Sequence, residues 1–133
     1  MAEKITFELV APEQLLVSAD LDMVVVPGSE GDFGVLAGHQ PLVSSLRPGV
    51  VEMHDEGAEI ERFFVAGGFA EVHPESCTVL AEEAVPVAEM DRADIEQRIQ
   101  NAEEDLEDAD GDEASHKAQQ KLALLREMLK AVS

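Results

Sequence analysis

Three sets of residues in this chain have types that could do chemistry. The first is Gly28-Ser29-Glu30-Gly31-Asp32-Phe33-Gly34-Val35-Leu36-Ala37-Gly38, whose glycines could be taken for a phosphate-cradling loop. Such a loop ends in Lys followed by Ser or Thr and opens a helix, so that backbone N–H groups and an ammonium surround the anion. Here Pro41 follows, no lysine is present, and Glu30 and Asp32 stand inside the run. It reads as turn structure. The second is Asp108-Ala109-Asp110-Gly111-Asp112-Glu113, with carboxylates at alternate positions as in a calcium loop. An EF-hand needs glycine at its sixth position and glutamate at its twelfth. Those positions hold Glu113 and Gln119, so no dedicated metal site is expected. The third set is the nucleophiles and imidazoles. His39, His54, His73 and His116 lack zinc-site spacing, no serine sits in a G-x-S-x-G elbow, and Cys77 precedes an apolar run that suits burial. No catalytic residue is expected, and no cofactor.

The elements that position these residues fall into two halves. Residues 1–86 read as β structure. Ile5, Phe7 and Leu9 alternate with Thr6 and Glu8, which suits a strand with one wet face. Further strands are expected at Leu15–Ser18, Met23–Val26, Pro41–Leu46, Val50–His54, Glu59–Val65, Phe69–His73 and Thr78–Ala81, with turns at Pro27-Gly28, Pro48-Gly49, Asp55-Glu56-Gly57, Gly67-Gly68 and Pro74-Glu75-Ser76. Many short strands with close turns predict an antiparallel sandwich or barrel. The run from Pro27 to Gly49 alternates Gly and Pro with Phe33, Val35, Leu36, Leu42, Val43 and Leu46, which predicts sharp bends within packed β structure.

After Pro86 the period changes. Ile95, Ile99, Ala102 and Leu106 form one helical stripe, and Ala118, Leu122, Leu125, Leu129 and Val132 form another. Asp91 is placed to cap the first helix, with Asp94 in a weak capping box, and Gly111 stops it. Residues 87–133 thus predict an antiparallel two-helix hairpin. Acids dominate its first helix, while Lys117, Lys121, Arg126 and Lys130 make the second basic, so complementary charge should help pair them. The apolar seam is thin against the entropy of ordering the segment, which predicts a hairpin able to change state.

A formal net charge of −20 over 133 residues excludes nucleic acid as a partner, because phosphate binding needs clustered Lys and Arg. It favours a basic protein partner. No run approaches the roughly 18 apolar residues of a membrane span. No basic-then-apolar leader opens the sequence, and the single Cys77 allows no internal disulfide, so a cytoplasmic chain is expected.

The run PGSEGDFGVLAGHQPLVSSLRPGVV, followed by FFVAGGFAEV and CTVLAEEAV, resembles the ε subunit of rotary F-type ATP synthases, the counterpart of the mitochondrial δ subunit. The likeness covers essentially the whole chain. It implies an N-terminal antiparallel β-sandwich of about ten strands and a C-terminal helical hairpin. It also implies a non-catalytic rotor subunit of the central stalk, on the cytoplasmic face of a bacterial inner membrane. The implied partners are the γ subunit and the c-ring, with transient contact to α and β subunits through the hairpin and no insertion into the membrane. By the same resemblance, Ser29, Glu30, Gly31, Asp32 and Phe33 form a turn that meets the c-ring loops, and His39 lies near γ. Some family members bind ATP on the hairpin through I/L-D-x-x-R-A. The aligned residues here run from Met90 through Asp91 to Ile95, with Asp94 where the arginine should stand. A carboxylate there repels phosphate, and Arg98 and Arg126 lie among acids, so no nucleotide binding is expected. The alternative to a rotor subunit is a stand-alone acidic adaptor or holdase.

Overall fold

The computed structural model describes residues 3–132. Ten strands follow one another from the N-terminus: β1 (Ile5–Ala11), β2 (Gln14–Leu21), β3 (Met23–Gly28), β4 (Gly31–Val35), β5 (Leu42–Leu46), β6 (Gly49–Asp55), β7 (Ala58–Val65), β8 (Gly68–Val72), β9 (Ser76–Ala81) and β10 (Ala84–Pro86). They form one curled sheet in the order β10-β7-β6-β3-β5-β8-β9-β1-β2, with β4 paired to β3. Every pairing is antiparallel except β1 with β9. The sheet closes over its own apolar face as a β-sandwich. Alternation along each strand supplies that face: Ile5, Phe7 and Leu9 from β1, Val24 and Val26 from β3, Val51 and Met53 from β6, Ala70 and Val72 from β8, Cys77 and Val79 from β9.

Turn chemistry accounts for the short connections. Glu56 and Gly57 both have positive φ, as a two-residue hairpin turn between β6 and β7 requires. Pro12 precedes Glu13 at φ 66, so the β1–β2 turn combines proline's fixed angle with a left-handed second residue.

Two differences from the sequence reading concern strands. The segment read as successive bends contains β4, so Asp32 and Phe33 lie in a strand and only Ser29 and Glu30 remain in the turn. The periodicity hid it because two of its five residues are glycine. β10 is the second, as its three residues are too few to show alternation in the sequence.

Residues through Ala88 form one compact unit and residues from Glu89 a second. In the second, α1 (Arg92–Glu107) and α2 (Asp112–Val132) pack through Ala102, Leu122 and Leu125, flanked by Ile99, Leu106 and Met128. Asp91 caps α1, accepting from the Ala93 N–H at 2.9 Å. Asp94 does not complete a capping box; its carboxylate pairs with Arg98 at 3.0 Å. Nor do charges bridge the helices. Among the described residues the ion pairs of this unit, Arg92–Glu96, Asp94–Arg98 and Glu127–Lys130, all lie within one helix. Side chains one turn apart meet at less conformational cost than side chains on two helices, so opposite net charge acts here only as a diffuse field.

Cys77 is fully buried in the sheet core, and burial pushes its thiol up from 9.0 to about 12. The unfolded thiol ionises first. Its contribution to stability is therefore complete below pH 9.0 and is lost as pH rises toward the folded value near 12. Alkylating reagents should label the native protein only through unfolding. Urea midpoints measured across the alkaline range should fall more steeply for wild type than for Cys77→Ala.

Candidate functional site

The β3–β4 hairpin places four of the five residues singled out for contact on an exposed tip. Gly28 pairs with Gly31, leaving Ser29 and Glu30 as its corner. Gly28 has no side chain because the Phe33 ring lies there: a Cβ would stand 2.8 Å from Phe33 Cε1 and from the Gly31 carbonyl oxygen. Phe33 is thereby half-buried, while Ser29, Glu30, Gly31 and Asp32 stay in water.

The tip is tied to β5. The Ser29 N–H donates to the Ser45 carbonyl at 2.9 Å, and the Ser45 hydroxyl donates to Ser29 Oγ at 3.1 Å. Arg47, just past β5, donates its backbone N–H to the Pro27 carbonyl at 3.1 Å and its guanidinium to the Asp32 carboxylate. A shallow depression bordered by Ser29, Asp32, Phe33, Leu42, Val43 and Ser45 results. Serine hydroxyls and the carboxylates of Glu30 and Asp32 line it together with the apolar Phe33, Leu42 and Val43, which suits docking of a cationic loop. It lacks the acid/base pair or nucleophile that catalysis needs.

His39 is not part of this tip. It lies in the loop from Leu36 to Pro41, at the other end of β4 and β5. That loop is held to the β8–β9 turn by Gly38 N–H to the Pro74 carbonyl at 2.7 Å, and His39 Nδ1 meets the Gln40 carbonyl at 2.7 Å. The half-buried imidazole thus has a local structural partner.

The sheet topology also assembles two features that sequence reasoning missed. The first is an apolar stripe on the outer face of β5, β8, β9, β1 and β2. Phe69 faces Leu80 across β8–β9, Leu80 lies beside Val10, and Val10 faces Leu15, with Val43 diagonal to Phe69. Val43, Phe69, Leu15 and Leu80 are 70%, 57%, 54% and 47% exposed. Contiguous apolar surface of this kind marks a docking face. Its only signal in the sequence is apolar residues at the wet positions of alternating strands.

The second is a group formed by Glu52 and His54 of β6 and Glu59 of β7, whose ligand-type atoms lie within 4.8 Å of one another. A register shift between Met53 and His54 sets His54 opposite Glu59. His54 Nε2 lies 3.1 Å from Glu52 and Arg62 lies 2.9 Å from Glu59, so both carboxylates already have a partner within the protein.

On the helical unit the four nucleotide-motif positions do not converge on a cationic pocket. Asp91 is engaged as the cap and Asp94 holds Arg98. Arg126 borders a groove shared with Glu103, Glu104 and Glu107. A phosphate there would meet three carboxylates beside one guanidinium.

Comparison with known proteins follows the same division. Residues 4–87 match the family model described as ATP synthase, Delta/Epsilon chain, beta-sandwich domain. An ATP synthase epsilon chain of Parvibaculum lavamentivorans is 52% identical over 128 residues, covering 96% of this chain and 97% of its own length. One from Paramagnetospirillum magneticum is 52% identical over 133 residues, covering 100% of both chains. Among solved structures, a chain in the Euglena gracilis mitochondrial ATP synthase, OSCP/F1/c-ring in rotational state 1, superposes with a TM-score of 0.87 at 25% identity. The match covers 98% of this chain and 82% of that one. A chain of the Tetrahymena thermophila mitochondrial ATP synthase central stalk and c-ring shares the fold, with a TM-score of 0.70 at 17% identity.

Proposed function

The chain belongs to the ATP synthase delta/epsilon family, as an epsilon chain, and from that membership we propose that it works as a mechanical joint between the γ shaft and the c-ring. It is a non-catalytic subunit of the complex. Ring rotation driven by ion flow passes through this joint and γ to catalytic sites on other subunits, from the cytoplasmic face of a bacterial inner membrane. No helix among the described residues is long and apolar enough to cross a membrane. The observation that carries the reading is the full-length likeness to epsilon chains, joined to a polar tip and an apolar stripe that adjoin at Val43 on one sheet. A coupling part needs two such faces.

The roles divide by chemistry. The polar tip of Ser29, Glu30, Gly31, Asp32 and Phe33 meets the ring loops, with Asp32 offered to a cationic side chain. The apolar stripe seats γ, and the loop of His39 lies at its border beside β5. The helical hairpin touches α and β subunits transiently and restrains hydrolysis in one of its states; its thin seam of Ala102, Leu122 and Leu125 makes the exchange accessible. The carboxylate paired with Arg98 and those sharing the groove of Arg126 disfavour ATP as its ligand.

Charge reversal tests the tip. Asp32→Arg, reconstituted with the remaining subunits in vesicles, should lower proton-driven ATP synthesis about tenfold while hydrolysis by the detached catalytic head is unchanged. Synthesis at the wild-type rate would remove Asp32 from the joint. Failure of the wild-type chain to assemble with γ and the ring would overturn the reading as a whole.

A further inference from the structure

Arg47 lies outside the five-residue tip, yet the fold aims it there. We infer that Arg47 is a positioning residue that holds the Asp32 carboxylate ready for a cation on the docking partner. This rests on the reading of Asp32 as a ring contact.

Three observations converge. The first is register. Asp32 lies opposite Pro27 in the β3–β4 pair, and Arg47 donates its backbone N–H to that same Pro27. One residue of β3 thus fixes both partners relative to each other, although they are 15 positions apart.

The second is space. A Cβ on Gly49 would stand 2.9 Å from Arg47 Nη1 and 2.9 Å from Pro27 Cβ. The guanidinium therefore occupies the room that a side chain at 49 would take. That floor directs a long, flexible side chain toward β4 in place of solvent.

The third is charge. The chain carries 9 basic residues against 29 acidic ones, and one of the nine is placed beside Asp32 with Glu30 on the same tip. The pair is exposed, at 41% for Arg47 and 56% for Asp32, so its contribution to fold stability is small. Only one carboxylate oxygen, Oδ1, is engaged, and Oδ2 has no intrachain partner among the described residues. A carboxylate held by one oxygen and open at the other can accept a second guanidinium or ammonium without first losing its own rotamer freedom.

The test is a double-mutant cycle on the full-length chain binding a detergent-solubilised complex of γ and c-ring. Wild type, Arg47→Ala, Asp32→Asn, the double variant and Arg47→Lys are compared. Asp32→Asn should weaken binding about tenfold and Arg47→Ala about threefold. In the Asp32→Asn background the second change should have no further effect, and Arg47→Lys should recover most of the loss. Urea midpoints should match throughout. An equal loss from Arg47→Ala in both backgrounds would make Arg47 an independent contact and overturn the inference. Tighter binding by Arg47→Ala would show that it repels the partner, with the same consequence. No loss from Asp32→Asn would instead sink the ring contact itself.

Discussion

Gly68→Ala should destabilise the β-sheet unit by more than about 3 kcal/mol, enough to consume much of the stability of a typical domain. Gly68 opens β8 and bridges two pairings, facing Leu46 on β5 and Ala81 on β9. Its φ is +128, where a side chain is strained, and the space is closed as well. A Cβ would stand 2.0 Å from the Leu80 carbonyl oxygen and 3.0 Å from the Ala81 Cα. Both obstacles are backbone, so no rotamer change relieves them. The sheet would have to part between β8 and β9, which exposes Ala70, Val72, Cys77 and Val79. Gly57→Ala provides the control. Gly57 has φ +81 with nothing within 4 Å of a new Cβ, so only the left-handed backbone costs, about 1–2 kcal/mol. With no Trp or Tyr in the chain, methyl NMR signals of the sheet core are the suitable probe in urea. Equal midpoints for the two variants would contradict the close approach at Gly68.

Phe69→Asp should leave the fold intact and strongly weaken binding to γ. Phe69 already stands 57% exposed, so removing its ring takes little from the core. It sits at the middle of the stripe, between Leu80 on β9 and Val43 on β5. Aromatic anchors at the centre of an interface carry about 2 kcal/mol or more, and a buried unpaired carboxylate adds a further penalty. The expected loss is about 30-fold or greater in affinity for γ. Ile60→Asp on β7 is the matched control: it is 55% exposed and lies off the stripe, so binding should be unchanged. If both variants bind γ as wild type does, the stripe is not the shaft's seat.

The features legible in the sequence are those written in near neighbours. Alternation over Ile5–Leu9 reports a half-wet strand from residues two apart. The stripes through Ala102 and through Leu122 and Leu125 report helices from residues three and four apart, and these residues form the observed seam. Asp91 announced its cap role because a short acceptor just before a helix has one use. β4 was obscured because glycine belongs equally to turns and to strands that another backbone approaches closely. Opposite helix charge suggests pairing across the hairpin, but the ion pairs that form in α1 are local, Glu96 with Arg92 and Asp94 with Arg98 one turn apart.

The site residues divide in the same way. Ser29 to Phe33 were singled out through a family likeness, and nothing local says that Arg47 reaches Asp32 or that Glu52, His54 and Glu59 share a face. Sequence by itself determined that this chain has a valine-rich sandwich, a helical tail, an acidic surface and no recognisable catalytic motif. Those properties depend on composition and on periods of two to four residues. Only the tertiary structure decided which strands adjoin, and so made Leu15, Val43, Phe69 and Leu80 one surface and aimed Arg47 at the tip. Strand adjacency is settled by burial of the whole apolar face at once, and a free energy summed over the sheet leaves no mark at any single position.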